Sequence, residues 1–173
     1  MKRFAVVFLL SFILGICCFQ VAGIEGDEAM KLISSSFENN GSIPAKFTCQ
    51  GEDVNPQLII EDIPDGTKSL VLIVDDPDAP MGTWVHWVVY DIAPISQIDE
   101  DSIPGKQGIN DFRKQNYGGP CPPSGIHRYF FKIYALDEEL GLEEGVLKED
   151  LEDAMQGHIL DKAELIGLCK KVR

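Results

Sequence analysis

Basic residues are scarce in this chain: 15 Lys and Arg stand against 28 Asp and Glu, for a formal net charge of −13. So acidic a surface repels nucleic acid and anionic membranes over most of its area, and nucleic acid is not expected as a partner. Histidine is scarce as well, with 3 in 173 residues. No His-x-x-x-His spacing and no cysteine cluster offers a metal ligand set. No serine sits in a nucleophile elbow, and Ser124 in Pro123-Ser124-Gly125 reads as a turn residue. Internal repeats and low-complexity tracts are also missing, so one domain with one core is expected.

The apolar sequence is unevenly placed. Met1-Lys2-Arg3 is a short basic head, and Phe4 to Phe19 is apolar apart from Ser11 and Gly15. Val21-Ala22-Gly23 then puts small residues before the acidic Glu25-Gly26-Asp27-Glu28. Residues 1–23 read as a secretory signal peptide and 24–173 as the domain it exports, periplasmic or secreted. The run is short for a spanning helix, and Ile16 is bulky where a lipoprotein signal needs a small residue before Cys17. Cleavage removes Lys2 and Arg3 and no acid, which takes the net charge from −13 to −15. Cys49, Cys121 and Cys169 stay. Cys49 and Cys121 lie in Gly- and Pro-flanked sequence and Cys169 in an apolar terminal run, so a Cys49–Cys121 disulfide is expected.

Strands dominate the pattern. Lys31–Phe37, Ile43–Cys49 and Leu58–Ile60 read as short strands, with turns at Glu38–Gly41 and Pro64–Thr67. Ser69–Val74 is continuously apolar and β-branched, which suits a strand buried on both faces. Trp84–Tyr90 follows, and strict alternation places Trp84, His86, Val88 and Tyr90 on one face and Val85, Trp87 and Val89 on the other. Residues 93–114 carry no regular signal. Leu147, Leu151, Ala154 or Met155, and His158 fall at helical spacing with Gly157 as a stop, and Ala163–Leu168 reads as a last strand. Many short strands and one clear helix predict a mostly β fold.

Tyr117–Tyr129 is the segment that points to a site. Three prolines and three glycines in these 13 residues exclude a helix or a central strand. The stretch nevertheless ends in Ile126-His127-Arg128-Tyr129 and enters the apolar run Phe130–Leu136, so a stiff loop delivers polar side chains to the mouth of a core strand. A second mouth, Asp75-Asp76-Pro77-Asp78-Ala79-Pro80, precedes the strand that carries His86. Imidazole and phenol donors beside Asp76 suit a small anion such as phosphate, and backbone N–H groups of a Gly-Gly loop could add donors. His158, on the helix, reads as structural. His127 and Tyr129 share one face of their strand and Arg128 takes the other.

Together these segments resemble the phosphatidylethanolamine-binding protein family, in its bacterial and archaeal Raf-kinase-inhibitor-like branch. The likeness rests on Asp76-Pro77-Asp78-Ala79-Pro80, on His86-Trp87, and on Gly118-Gly119-Pro120-Cys121-Pro122-Pro123 with Gly125 and His127-Arg128-Tyr129. Phe47-Thr48-Cys49 with Gly51, Asp53 and Pro56, and Gly157–Leu160 through Ala163–Gly167, extend it over nearly all of residues 30–171. The resemblance implies a large antiparallel β-sheet packed on a smaller one, Greek-key in character, with a few peripheral helices. It implies an anion pocket for phosphate or a phospholipid head group, lined by Asp76, His86, His127 and Tyr129. Asp78, Ala79, Pro80, Trp84 and the backbone of Gly119, Pro120, Cys121 and Pro122 would wall it. A cis Ala79–Pro80 bond and a homodimer are implied too. Two features depart from the animal members: the C-terminus is shorter, and Cys121 stands where they have glycine.

The expected function is therefore that of an exported, non-enzymatic binding protein without a cofactor, able to inhibit a partner kinase or protease. The competing expectation is a metal-assisted phosphoester hydrolase that uses the same Asp and His residues.

Overall fold

In the computed structural model of this chain, residues 28–171 are described, so the signal segment 1–23 and its cleavage point lie outside them. Nine strands and one α-helix follow in order: β1 (Lys31–Ile33), β2 (Gly41–Ser42), β3 (Leu58–Glu61), β4 (Ser69–Asp76), β5 (Trp84–Ile92), β6 (Gln97–Ile98), β7 (Lys106–Gln107), β8 (Ile126–Leu136), α1 (Lys148–Ala154) and β9 (Ile159–Lys170). They form two sheets, a small one ordered β1-β3-β6 and a large one ordered β2-β9-β8-β4-β5-β7. Every pairing is antiparallel except β2 with β9. A mostly β fold with a large sheet on a smaller one is thus what the chain adopts.

The core divides at the large sheet. Between the two sheets lie Leu32, Leu58, Ile60 and Ile98 of the small one against Leu70, Leu72, Val74, Trp87 and Phe131 of the large one. On the outer face Val71, Ile73, Val88, Tyr90 and Leu136 pack against Leu151 and Met155 of the helix segment. β4 sits between both layers, and all of its residues are buried, as its unbroken apolar sequence predicts. Alternation at its end separates two carboxylates. Asp75 is fully buried and paired with Lys132 at 2.8 Å, whereas Asp76 turns to the side where His127 lies.

Several local expectations change. Ile43–Cys49 is not a strand, because Pro44 opens a 3-10 turn at Ala45–Phe47 that Thr48 closes through its hydroxyl and its N–H, both donating to the Ala45 carbonyl. β1 stops at Ile33, where Ser34 turns its hydroxyl to the Gln57 carbonyl. The Ala79–Pro80 bond is trans, since no cis peptide occurs among the described residues. The Gly82 N–H donates to the Ala79 carbonyl, which makes Pro80 the second residue of a four-residue turn, a position that a trans proline fits. Strict alternation also fails in β5. Its pairing with β4 runs Val74 to Trp87 and then Asp75 to Val85, so His86 is an extra residue in a bulge. The bulge moves His86 off the face of Val88 and Tyr90 and onto the face of Tyr129.

Candidate functional site

Five stretches of chain meet at the open end of β5 and β8. β4 brings Asp76, the turn after it brings Ala79, Pro80 and Met81, and the bulged start of β5 brings Trp84 and His86. The loop before β8 brings Cys121 and Pro123, and Phe112 reaches in from the segment between β7 and β8. They enclose a cavity of about 250 Å3. That is just below the roughly 300–1,000 Å3 of drug-sized ligand pockets, so a small ligand fits it. The walls are apolar apart from Asp76 and His86.

The polar centre is fixed by hydrogen bonds. His86 Nδ1 lies 2.6 Å from the Gly118 carbonyl, which can only accept, so Nδ1–H donates and Nε2 is left for another partner. Gly118 N–H in turn donates to the His86 carbonyl, and Asn110 Nδ2 donates to the same oxygen. Burial lowers the His86 pKa below its ordinary value, with the Gly118 bond and nearby Asp76 opposing. The imidazole is therefore neutral at pH 7. Asp76 is doubly held: Oδ1 accepts from the Asp78 N–H at 2.8 Å, and Oδ2 accepts from His127 Nδ1 at 2.7 Å. His127, like His86, keeps Nε2 free of these bonds.

Tyr129 packs edge-on against His86 at 5.1 Å between ring centres. Its hydroxyl is buried and makes no hydrogen bond of good geometry, the one such side-chain atom among the described residues, although the Cys121 backbone and the Asp76 carboxylate lie close enough to act on it. Burial and then the Asp76 charge raise its pKa, so it stays a protonated donor. Native structures leave few buried polar atoms unpaired, and one beside a cavity calls for an explanation.

The wall is built from the loop Tyr117–Gly125. The Cys49–Cys121 disulfide closes it onto the 3-10 turn, with the Cα atoms 5.5 Å apart, as its loop context suggested. Cys49 N–H donates to the Pro120 carbonyl, and Gly119 N–H donates to Asp53 Oδ1 at 2.6 Å. A Cβ at Gly119 would come within 2.5 Å of that carboxylate and 2.7 Å of the Phe47 carbonyl, so only glycine fits.

A family model described as phosphatidylethanolamine-binding protein matches residues 33–170. The chain belongs to the phosphatidylethanolamine-binding protein family. Among its relatives in the family is a UPF0098 protein of Pyrococcus horikoshii, 49% identical over 92% of this chain and 84% of that one. A UPF0098 protein of Aquifex aeolicus is 51% identical over 84% of this chain and 91% of its own. Among solved structures, a putative phosphatidylethanolamine-binding protein homologue of Chlamydia trachomatis superposes with a TM-score of 0.81 at 46% identity, over 83% of this chain and 99% of that one. Escherichia coli YbcL, described as a new member of the mammalian PEBP family, gives 0.77 at 26% identity over the same shares.

Within this family fold the residues expected from sequence divide into groups. Asp76, Ala79, Pro80, Trp84, His86 and Cys121 line the cavity. His127 and Tyr129 stand behind it, one bonded to Asp76 and the other packed on His86. Asp78 does not face the cavity, because both of its oxygens bind the Arg128 guanidinium, which holds its pKa down at about 2. Gly119 lines a neighbouring cavity, while Pro120 and Pro122 are buried in the loop. Sequence reading missed Met81, Phe112 and Pro123 in the wall and Asn110 behind His86. Met81 and Pro123 adjoin motif residues and could have been included. Phe112 could not, for it is a lone aromatic in a polar stretch without periodicity.

Proposed function

We propose that this protein is a non-catalytic binding protein that takes a phosphorylated head group in the cavity beneath Trp84 and Phe112. The observation that carries the reading is the buried hydroxyl of Tyr129, which makes no well-formed hydrogen bond although it lies next to the Asp76–His127 pair and His86. A buried donor without an acceptor costs on the order of 1–3 kcal/mol. An anionic oxygen that accepts from it recovers this cost on binding. His86 Nε2 accepts from a ligand hydroxyl or ammonium while neutral, and donates to an anion once protonated. The cavity size supports a head group as ligand, and the names of the family and of the Chlamydia homologue point to phosphatidylethanolamine-like chemistry.

Export after loss of residues 1–23 belongs to the same proposal and keeps the Cys49–Cys121 bond in an oxidising compartment. Homodimerisation and inhibition of a kinase or protease rest on family resemblance alone. Titration of phosphoethanolamine into wild type and His127→Ala tests the site. The expected result is one ligand per chain with affinity lost in the variant, and equal binding by both proteins refutes the assignment. Thermal melts of the two free proteins separate loss of the site from loss of the fold.

A further inference from the structure

Beside the main cavity lies a second one of about 120 Å3, lined in part by Asp53, Lys114, Asn116 and Gly119. The two share Phe112 and Cys121, so they are neighbours across a low ridge. Phe112 crowns that ridge: it is 40% exposed, and its ring stands edge-on to Trp84 and His86 with Gly118 packed beneath.

The chemistry of the two cavities differs. The first is apolar around Asp76 and His86, whereas the second is lined by two exposed residues of opposite charge, Asp53 and Lys114. Asp53 is held through its carboxylate and Lys114 through its backbone. Asp53 sits at φ +58° with its N–H on the Lys46 carbonyl and its Oδ1 on the Gly119 N–H. Lys114 is anchored by its backbone, whose N–H donates to Asn110 Oδ1 and whose carbonyl accepts from Asn110 N–H. Asn110 is also the residue that braces the His86 carbonyl, so one side chain positions a member of each cavity. Among the described residues the Lys114 ammonium enters no ion pair.

We propose that the second cavity is a subsite for the substituent of the phosphate ester, and that it favours an α-amino acid group, with the carboxylate on Lys114 and the ammonium on Asp53. The ligand class is then a phosphoester of a serine-like amino acid rather than of ethanolamine, which offers Asp53 an ammonium but gives Lys114 nothing. This inference rests on the phosphate-ester reading of the main cavity.

The test is calorimetric titration of the full chain at low salt with O-phosphoserine and phosphoethanolamine, and with their glycerol diesters. Wild type should prefer each serine ester over its ethanolamine counterpart by about three- to fivefold, the range an exposed ion pair supplies. In Lys114→Met the ratio should fall to about one, and in Lys114→Glu it should invert, because the reversed charge repels the carboxylate. Both variants alter an exposed side chain, and matching melts will show that they fold. A tighter monoester identifies a free phosphoamino acid as the source, and a tighter diester identifies a lipid head group. A ratio near one in wild type, or a ratio unmoved by Lys114→Met, overturns the subsite and leaves the main cavity's assignment standing. Failure of all four compounds to bind wild type overturns both.

Discussion

At the scale of single residues, the site joins groups with different electrostatic duties. Asp78 and Asp76 are two positions apart, yet the Arg128 fork holds Asp78 ionised down to about pH 2, while Asp76 bonds His127. An NMR titration should place the Asp78 midpoint near that value, and a midpoint in the ordinary carboxylate range near 4 means that the Arg128 pair does not persist. His86 behaves oppositely. Its folded pKa lies below its unfolded one, so the unfolded chain binds more protons in the window between the two. Stability contributed by neutral His86 is present above about pH 6.5 and is lost as pH falls through that window. An anion in the cavity favours the imidazolium, so affinity for a phosphodiester, whose own charge is constant there, should rise as pH falls from 8 to below 6. Affinity flat or falling over that range contradicts His86 as an anion contact.

At the scale of elements, the sequence disclosed the strands that are buried on both faces and the loop that breaks the pattern. β4 was readable because burial on both faces leaves its sequence unbroken up to Asp75, and the run Phe130–Leu136 because Lys132 alone interrupts its apolar and aromatic residues. β6 and β7, two residues each, were not, since so short a strand has no period to detect. The bulge at His86 was equally invisible: one extra residue changes the face of a side chain without changing composition. The site was legible as motif residues, but its geometry was not, because Phe112 and Asn110 are set by tertiary contacts. The disulfide is the element that fixes the wall. Replacing Cys49 and Cys121 by serine should cost about 4 kcal/mol on the chain-entropy account of a closed loop of 72 residues. Chemical denaturation measures this, and a loss below about 1 kcal/mol means that the loop is held by its backbone bonds alone. Gly119→Ala should also destabilise, by about 1–3 kcal/mol, as its methyl forces Asp53 and the Phe47 carbonyl apart.

At the scale of the whole molecule, two cores on either side of one sheet divide support from recognition. Asp75, on the helix side, is a structural charge. Lys132→Met should cost about 2–3 kcal/mol by leaving a buried carboxylate with only Lys148 at 3.6 Å, and should not change ligand affinity. Asp76, the next residue, belongs to the recognition side. An acidic molecule, of net charge −13 before and −15 after loss of residues 1–23 with Lys2 and Arg3, gathers an anion only where local donors outweigh the long-range field. The central claim is that the Tyr129 hydroxyl waits for a ligand, and titration of phosphoethanolamine into wild type and Tyr129→Phe, with melts of both free proteins, tests it most directly. The account predicts a variant at least as stable as wild type whose affinity is lower by about tenfold, the value of one hydrogen bond to a charged acceptor. Equal affinity for the two proteins, or a variant destabilised with its affinity intact, would contradict it.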